Sequence, residues 1–287
     1  MDVAVVGAGR VGTALAVLLA RAGHRIVGLA GGAGTAARAA VHLPGDPVTH
    51  GPAAARAAEV VLIGTPDAAI AAACADLAAA GALGPTRLVG HLSGATGLGA
   101  LDAARAAGAA VFCLHPLQTC PTVELALARL PGSGFAITAL DERVATIAER
   151  LARDAGGVPF RLDDARKPAY HAAAVLASNA LVALADLASR LLVASGVDDP
   201  ARILAPLARA TVENLATMAP GDALTGPALR GDATTIDGNL RALAEVLPEA
   251  VAAYVVLTDR MLDLATRAGR LDGADRTRVE EVLARWR

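Results

Sequence analysis

The sequence predicts an α/β domain followed by an all-helical domain, and two patterns carry that prediction. Short apolar runs alternate with helical segments over the first half of the chain, which is typical of a parallel sheet wound with helices. Beyond Asp163 no β-rich run reappears, and helical periodicity continues to Arg287. We therefore place the domain boundary at the Asp163-Asp164 pair, with one domain over 1–162 and the other over 163–287.

The first strand leads directly into a glycine-rich turn. The apolar run from Val3 to Val6 is followed by Gly7-Ala8-Gly9-Arg10-Val11-Gly12 and then by a helix to Ala22. In this pattern the first glycine allows the tight turn, the second lets backbone approach a pyrophosphate, and the third lets the helix lie against the strand. A chance match is possible in a chain with 29 glycines, but a second strand, 24–30, follows one helix later. The position of the pattern therefore predicts a dinucleotide site that uses Gly7, Gly9, Arg10, Val11 and Gly12.

The end of the second strand indicates which dinucleotide binds. An NAD-preferring fold offers Asp or Glu to the ribose hydroxyls near Ala30, and no acidic residue stands there. Thr35 and Arg38 follow, where a hydroxyl and a guanidinium can hold a 2′-phosphate. NADP is therefore favoured over NAD, although Arg38 on a solvated helix face is the alternative.

Polar side chains follow three more predicted strands. Thr65 and Pro66 come after the strand 59–64 and should lie under the cofactor, while His91 and Ser93 follow the strand 87–90. His115 follows a fifth strand, 110–114. The carboxyl edge of a parallel sheet is where ligands bind, so these residues are expected beside the nicotinamide half of the cofactor, with His91 contacting it, and substrate chemistry is expected here. A histidine hydrogen-bonded for structural reasons is the alternative for each imidazole taken alone.

The remaining elements complete the sheet and form the helical half. Two more strands, 135–138 and 158–162, flank a helix over 141–154. The sequence then predicts helices near 166–195, 200–218, 233–245, 247–268 and 273–286. Lys167, His171 and Ser178 fall on one face of the first of these, with Asn179 beside them. A solvated lysine with a histidine near it by chance is the alternative to a functional stripe.

The order of these motifs resembles the Rossmann-like/DUF2520 proteins over nearly the whole chain. The motifs that carry the resemblance, after the glycine pattern, are His91-Leu92-Ser93-Gly94, His115-Pro116-Leu117-Gln118-Thr119, Tyr170-His171-Ala172-Ala173-Ala174 with Ser178-Asn179, and Leu224-Thr225-Gly226-Pro227 with Arg230-Gly231-Asp232. Those proteins are similar to the superfamily with a helical C-terminal domain like that of 6-phosphogluconate dehydrogenase. It includes β-hydroxyacid dehydrogenases, ketopantoate reductases and pyrroline-5-carboxylate reductases. The resemblance implies NADP-dependent redox chemistry on a small acid, in a cleft between the domains, and a homodimer through the helices.

The resemblance also implies a proton donor on the first helix of the second domain. The β-hydroxyacid and ketopantoate enzymes carry a lysine general acid there with an asparagine further along, and Lys167 and Asn179 match these by position. The spacing is longer than in the β-hydroxyacid group, and His171 occupies the nearer place. Reduction by hydride leaves negative charge that needs a proton, and an imidazole ordinarily titrates closer to neutral pH than an amine. His171 is thus the favoured acid with Lys167 as an electrostatic clamp, and Lys167 as the acid stays open; Ser93 and His115 complete the predicted catalytic set.

Substrate contacts are expected from three further residues. Arg230, in the Gly-Pro-x-x-Arg-Gly-Asp turn, is the best candidate to hold a substrate carboxylate, and Thr225 and Ser178 can hydrogen-bond the same ligand. A structural pairing of Arg230 with Asp232, or a helix-cap pairing, is the alternative.

Composition excludes other classes of function. A net charge of −2 and 2% aromatic residues do not favour nucleic-acid binding. No stretch of eighteen residues is free of polar side chains and no leader precedes the first strand, so we expect a cytoplasmic protein without a membrane span. The histidines and cysteines lack ligand spacing on any one element, so no metal is expected. The sequence thus predicts an NADP-dependent oxidoreductase of a small 2-oxo acid or imine, with ketopantoate-like substrates first; the competing class is a dinucleotide-binding sensor or scaffold without turnover.

Overall fold

The computed structural model describes residues 1–45 and 48–287 and divides into two compact units. The first unit is Met1–Ser178 and the second is Asn179–Arg287. We predicted a boundary after residue 162, so the units divide later in the chain than the change of sequence pattern suggests. The difference arises because the helix that starts at Lys167 has its first turn bound to the sheet.

The first unit is built on a seven-stranded sheet. Its strands are β1 (Asp2–Val6), β2 (Arg25–Ala30), β3 (Val60–Ile63), β4 (Leu88–His91), β5 (Ala110–Pro116), β6 (Gly134–Ala139) and β7 (Val158–Arg161). The order across the sheet is β2-β1-β3-β4-β5-β6-β7, and every pair is parallel except β5 with β6. All the predicted strands are present, and the α/β class is confirmed.

Helices cover both faces of this sheet. They are α1 (Arg10–Arg21), α2 (Thr35–His42), α3 (Gly51–Ala57), α4 (Ile70–Ala79), α5 (Asp102–Ala106), α6 (Val123–Arg129) and α7 (Glu142–Asp154). A further helix, α8 (Lys167–Ala177), ends the unit and buries only Lys167. One apolar core joins Val3 and Val5 to α1, α6 and α7, and a second joins Ala4 to α3, α4 and α5. Successive side chains of a strand point to opposite faces of the sheet, and both faces are buried here. Most strands are therefore continuous apolar runs in the sequence.

The order of the strands across the sheet reverses at β1, and this determines which loops can bind a ligand. From β1 the chain moves to β2 on one side and then to β3 on the other, which makes the carboxyl ends of β1 and β3 the switch point of the sheet. Ligands of open α/β sheets bind in the crevice at such a point. The register aligns Ile63 of β3 with His91 of β4, and His91 with Cys113 of β5. The residues after β3 therefore stand beside the ends of β4 and β5.

The second unit is entirely helical. It contains α9 (Asn179–Ala194), α10 (Pro200–Thr217), α11 (Pro220–Ala223), α12 (Ala233–Val246), α13 (Ala250–Arg267) and α14 (Gly273–Ala284). The all-α C-terminal half is confirmed, but the single helix predicted over 166–195 is wrong in one respect. Ser178 leaves the helical region, with φ −127° and ψ −71°, so α8 and α9 are separate helices.

Two long helices of this unit bury none of their residues within the described chain. Neither α9 nor α10 has a buried side chain, although both carry many apolar ones. The segment Asp164–Ala194 is also long and apolar enough, by length and composition alone, to cross a membrane. Uncovered apolar surface of this extent is unusual for an isolated soluble domain.

Candidate active site

The glycine-rich turn forms a cradle at the switch point, and each glycine has a distinct reason to be there. Gly7 has a φ of +92°, and a Cβ atom on it would clash with the backbone that follows β3. A Cβ on Gly12 would lie 2.9 Å from the carbonyl oxygen of Gly7 and 3.0 Å from Val5. Gly9, in contrast, faces open space, with only the Gly7 carbonyl oxygen within 4 Å of a built Cβ. Gly7 and Gly12 are therefore required by the fold, while Gly9 leaves room for a ligand.

A cavity of about 270 Å³ opens over this turn. It is lined by Val6, Gly7, Ala8, Gly9, Gly31, Gly32, Arg38, Gly64, Thr65 and Pro66. The hydroxyl oxygen of Thr65 is buried and has no hydrogen-bond partner among the described residues. The first amide groups of α1 have no carbonyl acceptor within the helix, as at any helix start. These unpaired donors and the missing side chains fit a pyrophosphate, and Gly7, Gly9, Thr65 and Pro66 of the predicted cofactor set line the cavity.

Arg38 lies at the other end of the same cavity. Its guanidinium donates two hydrogen bonds to the carbonyl oxygen of Ala8, at 3.1 and 2.8 Å, and a longer one of 3.4 Å to the hydroxyl of Thr35. It is therefore not a solvated surface charge. The side chain links α2 to the glycine turn and leaves further N–H groups for an anion.

Arg10 and Val11 follow Gly9 of the glycine turn but are not among the residues that line the cavity. Arg10 is exposed, and its Nη1 donates to the carbonyl oxygen of Pro121 at 3.1 Å. Val11 is half-buried and packs against the core. Their backbone amides belong to the first turn of α1, where a ligand of the glycine turn can accept hydrogen bonds from the main chain.

A cluster of polar side chains lies at the carboxyl ends of β4 and β5. It comprises His91, Ser93, Cys113, His115, Lys167, Tyr170 and His171. The last three come from the first turns of α8, at spacings of three and four residues that place them on one face. The cluster unites most of the predicted catalytic residues within one compact unit.

Lys167 is the centre of the cluster and is completely buried, with 0% exposure. Its ammonium donates to the carbonyl oxygen of Ser93 at 3.0 Å and contacts the sulfur of Cys113 at 2.9 Å. The Cys113 thiol also donates to the same carbonyl at 3.2 Å. A lysine held by β4 and β5 in this way supplies a fixed charge, and the alternative of a solvated lysine is wrong.

The charge of Lys167 acts on two neighbouring imidazoles. Burial, and next the positive charge of Lys167, lower the pKa of His91 to about 4, and the same two causes lower that of His115 to about 4. His91 accepts a hydrogen bond from the amide of Ser93 at 3.2 Å through Nδ1, while its buried Nε2 has no partner in the described chain. Both imidazoles are therefore neutral at pH 7. His91 was predicted to contact the cofactor, but it is not among the residues that line the cavity.

The other side chains of the cluster complete its hydrogen bonding. The hydroxyl of Tyr170 lies 2.8 Å from Nδ1 of His115. Nδ1 of His171 is buried and has no partner in the described chain, so it can hydrogen-bond a ligand. The hydroxyl oxygen of Ser93 accepts the amides of Ala95 and Thr96, at 3.2 and 2.9 Å, and so holds the turn after β4.

The cradle and the cluster are joined by one short segment. Thr65 and Pro66 line the cavity, and Asp67 follows immediately. Ile63, just before this segment, pairs with His91 of the cluster on the neighbouring strand, and a Cβ atom on Gly64 would lie 3.2 Å from Leu92, the residue after His91. The reactive groups therefore stand next to the mouth of the cradle.

The remaining predicted residues lie at the end of the first unit or in the second. Ser178 ends α8, and Asn179 begins α9. Thr225 and Arg230 are exposed on the turn before α12, and Asp232 caps that helix by accepting the amide of Thr235 at 3.0 Å. Within residues 1–45 and 48–287, Arg230 forms no salt bridge, so the predicted alternative of an Arg230–Asp232 pair is not formed. Its guanidinium is free for a ligand.

Sequence reasoning missed two partners in the cluster. Sequence reasoning assigned no role to Tyr170 beyond its place in a motif and none to Cys113. The helical spacing of Tyr170 from Lys167 was a signal that places both on one face, whereas nothing in the sequence indicates that a sulfur contacts Lys167. No group of three side chains arranged to hold a metal ion occurs in the described parts of the chain.

The chain can be compared with known proteins on this basis. Residues 1–116 match the family model of the Rossmann-like domain, and residues 133–261 match the domain of unknown function DUF2520. No curated protein matches the sequence. The two domain matches confirm the resemblance identified from the motifs.

Several solved structures have a similar fold. BF3122 from Bacteroides fragilis, provisionally named an NADP oxidoreductase, has a TM-score of 0.76 and 23% identity, over 91% of this chain and 98% of that one. A reductive aminase from Aspergillus terreus with NADPH has a TM-score of 0.64 and 22% identity, over 98% of both chains. Pyrroline carboxylate reductase from Plasmodium falciparum, with NADP bound, has a TM-score of 0.61 and 11% identity, over 92% of this chain and 98% of that one. At these identities the likeness establishes the fold.

Proposed function

We propose that this chain, which joins a Rossmann-like domain to a DUF2520 domain, is an NADP-dependent oxidoreductase of a small 2-oxo acid or a related imine. One observation carries the proposal. A cradle suited to a pyrophosphate and a buried cluster of proton-donating side chains stand beside each other at the carboxyl edge of one sheet. A protein that only held a nucleotide would need the cradle but not the cluster.

The cofactor's phosphates would be held by the residues of the cavity. The amides at the start of α1 and the unpaired hydroxyl of Thr65 suit the pyrophosphate. Arg38, with Thr35 beside it and no acidic residue nearby in the loop, suits a 2′-phosphate, which favours NADP over NAD. Bound NADPH supplies a hydride. Two of the similar solved proteins are named with NADP or NADPH bound, which supports the same cofactor.

The proton would come from the cluster on α8. His171 has an unpaired nitrogen and no competing partner, so it is the proposed acid. Lys167 has already committed its ammonium to Ser93 and Cys113 and acts as a fixed positive charge that stabilises developing negative charge. His115 and Ser93 are further hydrogen-bonding groups of the cluster. Asn179 matches by position the asparagine of the enzymes that the sequence resembles, and it is also a proposed catalytic residue.

The substrate would be an acid with a carbonyl or imine group. Arg230 has an exposed guanidinium without an ion pair in the described chain, and Thr225 and Ser178 offer hydroxyl groups. A guanidinium binds a carboxylate with two parallel hydrogen bonds, which would orient the group to be reduced. A ketopantoate-like acid is the first substrate to test.

We further propose that a second copy of the chain covers α9 and α10. Leu181, Val182 and Ile203 are 49%, 71% and 59% exposed, although they lie on helices with no buried residue. Asp186 and Arg190 lie within α9, and charged side chains are costly inside a bilayer, so a protein partner is favoured over a membrane. Light scattering should report a dimer without detergent. A monomer in buffer, or a protein that needs detergent to stay in solution, would contradict this.

Oxidation of NADPH across a panel of 2-oxo acids and cyclic imines tests the proposed activity. We expect turnover of at least one member, with a ketopantoate-like acid among the best. Tight binding of NADPH with no turnover on any member would favour the sensor or scaffold instead. Replacing Gly9 by a bulkier residue is the matched control, because it should remove binding and turnover together.

A further inference from the structure

Tyr170 is a polar side chain of the cluster that has no role in the proposed reaction. Its hydroxyl lies 2.8 Å from Nδ1 of His115, and the two rings meet edge to face, with centroids 5.5 Å apart and planes at 87°. On its other side the ring meets Phe160 of β7, at 6.0 Å and 62°. The phenol is therefore held between β5 and β7 with its hydroxyl directed at one nitrogen of His115.

The imidazole of His115 also lies against a residue without a side chain. A Cβ atom on Gly94 would lie 2.7 Å from Cε1, 2.8 Å from Nε2 and 3.0 Å from Nδ1 of the ring. Any larger residue at this position would displace the ring. Tyr170 and Gly94 together fix where both nitrogens of His115 stand.

The chemistry of the pair decides which group donates. Burial raises the pKa of Tyr170 to about 12, and burial followed by the charge of Lys167 lowers that of His115 to about 4, so both are neutral at pH 7. A phenol is a better hydrogen-bond donor than a neutral imidazole N–H, and an imidazole nitrogen is a better acceptor than a phenol oxygen. The hydroxyl therefore donates to Nδ1, and the single proton of the imidazole resides on Nε2.

We propose that Tyr170 is a positioning residue that fixes His115 as its Nε2–H tautomer, which makes His115 a hydrogen-bond donor at the carboxyl edge of the sheet. Nε2 has no partner in the described chain, so this donor is free for the oxygen or nitrogen of the group being reduced. This use of the donor rests on the proposed function, whereas the tautomer does not. His115 keeps its proton, and the transferred proton still comes from His171.

Nitrogen NMR of the full-length protein, labelled with ¹⁵N at histidine, tests the tautomer directly. His115 is identified by the signals that His115→Gln removes. We expect a directly bonded proton on Nε2 and none on Nδ1 from pH 6 to pH 8, and a shifted Nδ1 signal in Tyr170→Phe. Tyr254→Phe is the matched control, because Tyr254 is the only other tyrosine and its hydroxyl binds Asn239 at 2.8 Å in the helical unit. A proton bonded to Nδ1 of His115 in the wild type would overturn the proposal.

Kinetics tests whether Tyr170 acts through His115. Tyr170→Phe keeps both ring contacts and should lower kcat about tenfold to a hundredfold, with the Kd of NADPH unchanged. In a His115→Gln background the same change should have less than about a twofold effect, because the group that it positions is gone. Losses that multiply in the double variant would overturn the positioning role.

The tautomer of His115 can still be tested if Tyr170→Phe does not fold or if no substrate is found. If Tyr170→Phe fails to fold, Gly94→Ala provides a second route, since it should displace the ring and alter the His115 signals while Tyr170 is intact. If no substrate of the panel is turned over, the proposed function fails, and the nitrogen spectra alone decide whether Tyr170 sets the tautomer.

Discussion

Acid should destabilise the sheet unit well before its carboxylates are protonated, because two neutral imidazoles are buried in the cluster. His91 and His115 each have a pKa of about 4 in the folded protein and an ordinary value of 6.5. Between these values the unfolded state binds more protons than the folded state, so stability rises with pH through this window. It is fully present above about pH 6.5 and is lost as the pH falls towards 4.

The size of the effect follows from these values. For one imidazole with a pKa of 6.5 unfolded and about 4 folded, lowering the pH from 7 to 5 costs about 2 kcal/mol. The second imidazole has the same values and would add about as much, so the pair contributes about 4 kcal/mol. The free energy of unfolding of a protein is usually roughly 5–15 kcal/mol, so such a loss should be readily measurable.

Urea unfolding followed by circular dichroism at pH 7 and pH 5 measures this loss. His115→Gln should remove about half of the pH dependence, since a glutamine does not titrate. His50→Gln is the matched control, because His50 is exposed. Equal stability at the two pH values, or an unchanged pH dependence in His115→Gln, would refute the reasoning from burial.

Four other outcomes are expected. Gly7→Ala should destabilise the protein by about 1–3 kcal/mol more than Gly23→Ala in urea unfolding, because both residues have a positive φ, of 92° and 89°, but only Gly7 is also crowded; equal losses would contradict the crowding. Arg38→Ala should weaken NADPH binding about tenfold and spare NADH in calorimetry, since it removes a charge-assisted bond to the 2′-phosphate; equal losses would exclude that contact. His171→Ala should lower kcat about a hundredfold with the Kd of NADPH unchanged, and an unaltered rate would remove His171 from the mechanism. Lys167→Met should raise the imidazole pKa values of the cluster in an NMR titration, because the charge that lowers them is lost; unmoved values would show that the charge has no such effect.

The parts of the fold with strong local signals could be predicted from the sequence. Most strands of the sheet are buried apolar runs, although β7 is largely exposed, and the glycine turn has the spacing of a dinucleotide-binding turn. The short helices α3 and α6 were missed, because seven residues are too few to show a helical period. The break at Ser178 was missed as well, since no Gly or Pro marks it.

The cluster was predictable only in outline. The topology of parallel strands brings the residues after β4 and β5 to one edge, so His91, Ser93 and His115 could be grouped from the sequence. Whether Lys167 points to water or to the sheet depends on packing between α8 and the strands, which no local pattern encodes. The same holds for the bond between Tyr170 and His115, which joins residues far apart in the chain.

The central claim is that the reactive end of the bound cofactor meets the cluster, and one NMR titration tests it most directly. NADPH should move the imidazole signals of both His91 and His115. The fragment 2′-phospho-ADP-ribose, which lacks the nicotinamide ring, should bind in the cradle and leave them largely in place. If NADPH binds and these signals move no more than they do with the fragment, the cradle and the cluster do not serve one reaction.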